Sequence, residues 1–157
     1  MDAELVTYRH PELHFSIDLP PEIEIGDDVP HVAVVAVERA DVVPPGSFRA
    51  NLNVVVEQGP PGMDLDGYVE ASLEQQRRSM AGFRLIDREE LTISDVPAVR
   101  TLAHFHGSEV LALVVEQWRL IARGLGWVVT ASSDAISYGG RADAFAACAE
   151  SLRVEDS

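Results

Sequence analysis

Phe48-Arg49-Ala50-Asn51-Leu52-Asn53-Val54-Val55-Val56-Glu57-Gln58 runs into Gly59-Pro60-Pro61-Gly62, and Asp64 follows two residues later. Leu52, Val54 and Val56 alternate with Asn51, Asn53 and Val55, the period of a strand with one apolar face. The Gly-Pro cluster stops that strand. Asp64 is a helix N-cap, and Asp66 adds negative charge to the first turn. Leu65, Tyr68, Val69, Ser72, Leu73, Gln76 and Met80 then recur at helical spacing, with Gly82 placed as the C′ residue. The spacing predicts a helix over 65–81. A strand delivered by a turn into an amphipathic helix sets the class as α+β.

Outward from this stretch the chain is mostly strand. On its N-terminal side, Tyr8 and Phe15-Ser16-Ile17-Asp18-Leu19 read as an opening strand or hairpin, stopped by Pro20-Pro21. A loop holding Gly26-Asp27-Asp28 and Pro30 is expected next. A β-branched run from Val32 to Glu38 follows, then a turn from Asp41 to Ser47. On the C-terminal side, Phe83 to Ser94, Val96 to His106, Val110 to Arg123 and Trp127 to Ser132 read as four strands. Gly107-Ser108 and Arg123-Gly124-Leu125-Gly126 supply turns. Gly139-Gly140 precedes a closing helix with a stripe of Ala142, Phe145, Ala146, Ala149 and Leu152. Hairpin-length connections imply a mostly antiparallel sheet. No repeat or interdomain linker is found, so residues 1–157 are expected to form a single domain.

The charge excludes several functions. The 157 residues include 26 acidic and 12 basic side chains, for a formal charge of −14. All twelve basic residues are arginine. A counterion-displacing basic surface for nucleic acid is missing, and anionic membranes would repel the chain. The longest apolar stretches, Val32 to Val37 and Val110 to Val115, are too short to span a bilayer. The acidic start Met1-Asp2-Ala3-Glu4 is unlike a secretory signal. A cytoplasmic location is expected.

Local chemistry is sparse. His104-Phe105-His106 puts two imidazoles on one strand face, a spacing that can ligate zinc, but a third ligand would have to come from His10, His14 or His31. Cys148 lies beside the closing helix's apolar stripe and is expected to be a buried small residue. Gly124-x-Gly126 lies between strands and is a hairpin turn, not a dinucleotide fingerprint. No nucleophile elbow, phosphate loop or zinc-protease motif is present. Trp118 and Trp127 are expected in the core. The chain is therefore read as non-enzymatic, with no cofactor.

Two strands carry mixed faces. Arg100, Leu102, His104 and His106 lie opposite Val99, Ala103 and Phe105, and Asn51, Asn53 and Val55 lie opposite Leu52, Val54 and Val56. These seven residues, Asn51, Asn53, Val55, Arg100, Leu102, His104 and His106, are taken as one partner-binding surface. Reversing charge at Arg100 or introducing it at His104 is expected to weaken partner capture without unfolding the protein.

Several segments resemble the PsbP-like superfamily. They are Tyr8 with Phe15 to Pro20, Phe48 to Leu52, Leu85-Ile86-Asp87, Val96 to Arg100, Glu116-Gln117-Trp118-Arg119, and the ending Phe145 to Leu152. That superfamily includes photosystem PsbP proteins, a eukaryotic Ran-binding import factor, LpqN-type lipoproteins and Eag secretion chaperones. The resemblance implies an antiparallel sheet of six or seven strands flanked by helices, an α/β/α sandwich, and a non-catalytic role. Eag chaperones hold apolar effector helices on a sheet face, which suits the mixed face here. The expected function is a protein-binding module, chaperone- or adaptor-like for a secreted or membrane partner, forming a homodimer. The alternative is a small-molecule or metal-binding protein acting near His104 and His106.

Overall fold

The computed structural model describes residues 4–21, 23–26, 32–39, 41, 47–58 and 62–155. Its strands are β1 (Val6–Arg9), β2 (Phe15–Leu19), β3 (Ile23–Gly26), β4 (Val34–Glu38), β5 (Asn51–Glu57), β6 (Arg84–Ile93), β7 (Val96–Ser108), β8 (Leu111–Ala122), β9 (Leu125–Asp134) and β10 (Arg153–Val154). Helix α1 spans Leu65–Ser79, and α2 spans Ala142–Glu150 after a 3-10 turn at Tyr138–Gly140. Seven strands form one sheet in the order β3-β4-β5-β9-β8-β7-β6, and β1-β2-β10 form a second. Every pairing is antiparallel.

Local chemistry explains the elements. Asp64 caps α1 by accepting the Gly67 N–H at 2.8 Å, and Arg77 and Arg78 meet the negative end of its dipole. The helix stops at Ser79, two residues short of the sequence expectation. Gly82, at φ +66°, stands two residues beyond the capping Met80, one later than the C′ position. The β6–β7 and β8–β9 hairpins turn through Ser94-Asp95 and Arg123-Gly124, all four at positive φ. Two successive positive φ angles match the twist of paired strands. Gly107 and Ser108 extend β7 through a register shift, so that turn falls on Glu109-Val110. The loop expected around Gly26 begins as β3, an edge strand paired to β4. The short β10 joins β2 by register alone, without a sequence pattern of its own. Asp27, Asp28 and Pro30 of the expected loop, residues 42–46 of the Asp41–Ser47 turn, and Gly59-Pro60-Pro61 lie outside the described residues.

The seven-stranded sheet carries one helix on each face. On the α2 face, Leu52, Val54, Trp118, Leu120, Trp127 and Val129 meet Phe15, Ile17 and Leu19 of β2, with Cys148 and Ala149 of α2 in the same core. Trp118 and Trp127 are fully buried there, and Phe15 meets Trp127 edge-on at 5.5 Å. On the α1 face, Val69 and Leu73 pack on Val99, with Leu65, Phe83 and Leu85 around them. Each such buried side chain contributes about 1.5–3 kcal/mol. Within the described residues, no helix is long and apolar enough to cross a membrane.

Candidate partner-binding face

Alternation along β5 sends Leu52 and Val54 into the core, so Asn51, Asn53 and Val55 project on the α1 face. The register sets neighbours beside them. Asn53 lies between Val35 of β4 and Thr130 of β9, Asn51 between Val37 and Ser132, and Val55 beside Val128. Helix α1 rests on β7 and β8, away from this half of the face. Val35, Val37, Asn51, Asn53, Val55 and Thr130 are all half-buried. The Asn51 amide donates to the Arg49 carbonyl at 3.3 Å. No partner among the described residues engages the Asn53 amide. The result is an aliphatic strip with the Asn53 amide, unengaged among the described residues, at its centre.

A polar seam marks the border of the α1 cover. Gln117 donates to Thr130 Oγ1 at 3.0 Å, and its Oε1 accepts from both Gln76 of α1 and Arg119. Arg119 is only 4% exposed. Its Nε and Nη1 find no partner among the described residues, and burial lowers its pKa. Tyr68 closes the seam by donating to Glu57 Oε1 at 2.5 Å. Burial, then the Glu57 hydrogen bond, raise the Tyr68 pKa. Gly126 leaves room for this ring, since a Cβ there would sit 2.7 Å from the Tyr68 oxygen and force the side chain to shift.

The other four expected residues lie on the opposite face. Arg100 donates through Nη1 to Asp87 at 2.9 Å and through Nε to Glu116. Tyr138 donates to the second Glu116 oxygen at 2.9 Å. Leu102 pairs in register with Glu116, and His104 and His106 continue the strip toward the sheet end. The single seven-residue surface is thus corrected to two separate ones. Val99 does not share the core side of β5, because it packs under α1. It is Ala98 that joins the main core.

Other candidates resolve plainly. His10 stacks on Phe15 and accepts the Glu12 and Leu13 N–H groups through Nδ1. His14 sits at φ +55°, and His31 lies outside the described residues. Among the described residues, no group of three or more His, Cys, Asp or Glu is placed to hold a metal. Cys148 is buried as expected, and burial, reinforced by Asp18, pushes its thiol pKa up to about 11, which suits a core thiol and not a nucleophile. A cleft of about 340 Å³ lies between α2 and β3–β5, with Ile23, Leu52 and Phe145 on its walls. Its Arg141 donates through Nη2 to both carboxylate oxygens of Glu38, at 2.8 and 2.9 Å.

The sequence matches the family described as DcrB over residues 42–123, more than half of the chain. The chain belongs to the DcrB family. No curated protein matches this DcrB-family chain. Its fold is shared with the Ran-binding protein Mog1p of Saccharomyces cerevisiae, at TM-score 0.71 and 10% identity over 99% of this chain and 97% of that one. Cyanobacterial PsbP (CyanoP) of Synechocystis sp. PCC 6803 is similar at TM-score 0.69 and 15% identity, covering 99% and 95%. LpqN of Mycobacterium tuberculosis, involved in cell envelope biogenesis, is similar at 0.68 and 11%, covering 98% and 91%. These likenesses establish the PsbP-like fold of this DcrB-family chain.

Sequence reading missed Val35 and Thr130 as neighbours of Asn53, and Val37 as the neighbour of Asn51, in the DcrB-family chain. Alternation within one strand was visible, but the register that joins three strands was not. It also missed the Arg119 seam. The available signal was Glu116, Gln117 and Arg119 standing together in an otherwise apolar strand.

Proposed function

We propose that this chain is a non-catalytic protein-binding module, acting in the cytoplasm as a chaperone or adaptor for a secreted or membrane partner. The partner segment lies on the half of the α1 face that the helix leaves open among the described residues. One observation carries this reading: Val35, Val37 and Val55 form an aliphatic strip with the Asn53 amide, unengaged among the described residues, among them, and α1 rests mainly on β7 and β8. Such a strip offers apolar area, with an amide to satisfy a polar group of the partner. The Ran-binding role in the name of Mog1p supports a binding function for the fold. The link of LpqN to envelope biogenesis supports an adaptor in the service of exported partners.

The test compares affinity capture by the tagged wild type and by an Asn53→Arg/Val55→Arg variant from native lysate, read by mass spectrometry. A defined protein held by the wild type and lost by the variant, at unchanged melting temperature, is the expected result. Equal retention by the variant, or capture of nothing but the chain itself, overturns the assignment of this face.

A further inference from the structure

The geometry points to a zinc-binding site formed by His104 and His106, on the α2 face and separate from the proposed partner surface. The two imidazoles stand on one side of β7 with ring centroids 5.3 Å apart and planes at 89°. A zinc ion about 2.05 Å from a ring nitrogen lies about 3.2 Å from that ring's centroid, and two such spokes at the tetrahedral angle separate the centroids by about 5.2 Å. The spacing here matches that separation. χ2, the soft torsion of histidine, sets which ring atoms face a shared ion.

The surroundings fix the His106 backbone and leave the site open. The His106 backbone N–H donates to the Ala81 carbonyl at 2.8 Å. Its ring lies against Gly82, where an added Cβ would come within 2.3 Å of Cδ2. His106 is exposed and His104 half-buried, so water or a group from another molecule completes the coordination. Imidazole is a ligand that zinc accepts readily. The charge of −14 favours cations generally. The opposing feature is Arg84, the register partner of His104 on β6. It is exposed, so its repulsion of a cation acts through the high dielectric of water. Arg100, farther along the same face, is neutralised by Asp87 and Glu116.

Zinc chloride titrated into the full chain by calorimetry, with NMR of the imidazole protons, tests the site. One ion per chain is expected, shifting the His104 and His106 resonances. His104→Ala and His106→Ala should each weaken binding by about tenfold or more, since a chelate needs both ligands. Arg84→Glu places a carboxylate directly across from His104, and should tighten it by a similar factor. Undiminished binding in the His104→Ala/His106→Ala double variant would put the ion on the acidic surface instead. Absence of saturable binding, or an unchanged affinity in Arg84→Glu, also overturns the proposal. None of these outcomes bears on the partner surface, which lies across the sheet.

Discussion

Arg100 of β7 and Glu116 of β8 are joined diagonally across adjacent strands by a charge-assisted hydrogen bond, and Glu116 is only 2% exposed. Tyr138 binds the other oxygen of the same carboxylate and so ties the 3-10 turn before α2 to the sheet. Arg100 is therefore the counterion of a buried acid, not a free surface group. This revises the expectation that charge reversal there leaves the fold intact. Removing one partner of a buried pair costs about 3–5 kcal/mol, whereas replacing both by apolar groups is often nearly neutral. Arg100→Met is expected to lose stability in that range by urea denaturation, and Arg100→Met/Glu116→Leu to recover most of it. A single variant within about 0.5 kcal/mol of wild type, the range of an ordinary surface change, would contradict the role.

The two halves of the α1 face should respond differently to truncation. Leu73 of α1 is 1% exposed where the helix meets the sheet, and Val55 of β5 is half-buried on the half the helix leaves open among the described residues. Leu73→Ala is expected to cost about 2–5 kcal/mol through lost burial and the cavity left behind. Val55→Ala is expected to cost about 1 kcal/mol or less, because little buried volume is removed. Equal losses at the two positions would mean that Val55 is covered as fully as Leu73.

Gly82 couples helix α1 to β7. Its φ of +66° disfavours any L side chain, and a Cβ would press on the His106 ring. Gly82→Ala should cost about 1–2 kcal/mol for the backbone conformation alone, with the steric clash added. Adding His106→Ala should remove the clash and leave the backbone cost. A thermal-melt double-mutant cycle with no coupling would show that the ring yields freely.

Alkaline pH should destabilise the fold by a predictable route. Burial raises the Cys148 thiol from 9.0 to about 11, and burial with the Glu116 hydrogen bond raises Tyr138 from 10.0 to about 12. Between each pair of values the unfolded chain has lost a proton that the folded chain keeps, so stability falls as pH rises. The decline should begin near pH 9 and continue to about 12. Cys148→Ala should flatten its 9-to-11 portion in pH-dependent urea midpoints. An unchanged profile would remove the thiol from the account. On the acid side, Arg100 and the Arg88 N–H hold the Asp87 carboxyl below its ordinary value of 3.8. The stability it contributes is present above that value and lost as pH falls through its lowered one.

Much of the local structure was determined by the sequence itself. Alternation at 51–56, the Asp64 cap and the helical spacing from Leu65 to Met80 depend on contacts within a few residues. So does the hairpin turn at Arg123-Gly124, and backbone geometry ties each of these patterns to a conformation. The burial of Trp118, Trp127 and Cys148 was equally legible, because apolar stripes must face a core. Only the tertiary structure decided which face of β7 lies on the same side as which face of β5. Alternation reveals that a strand has two faces, but both faces of this sheet are covered in part, one by α1 and the other by β2 and α2. An apolar face on one strand therefore has no fixed correspondence to an apolar face on another until register and crossover are known. That is why Asn53 and Arg100 looked like one surface and lie on two. It is also why β3 and β10, short strands held by pairing with β4 and β2, left no pattern to read.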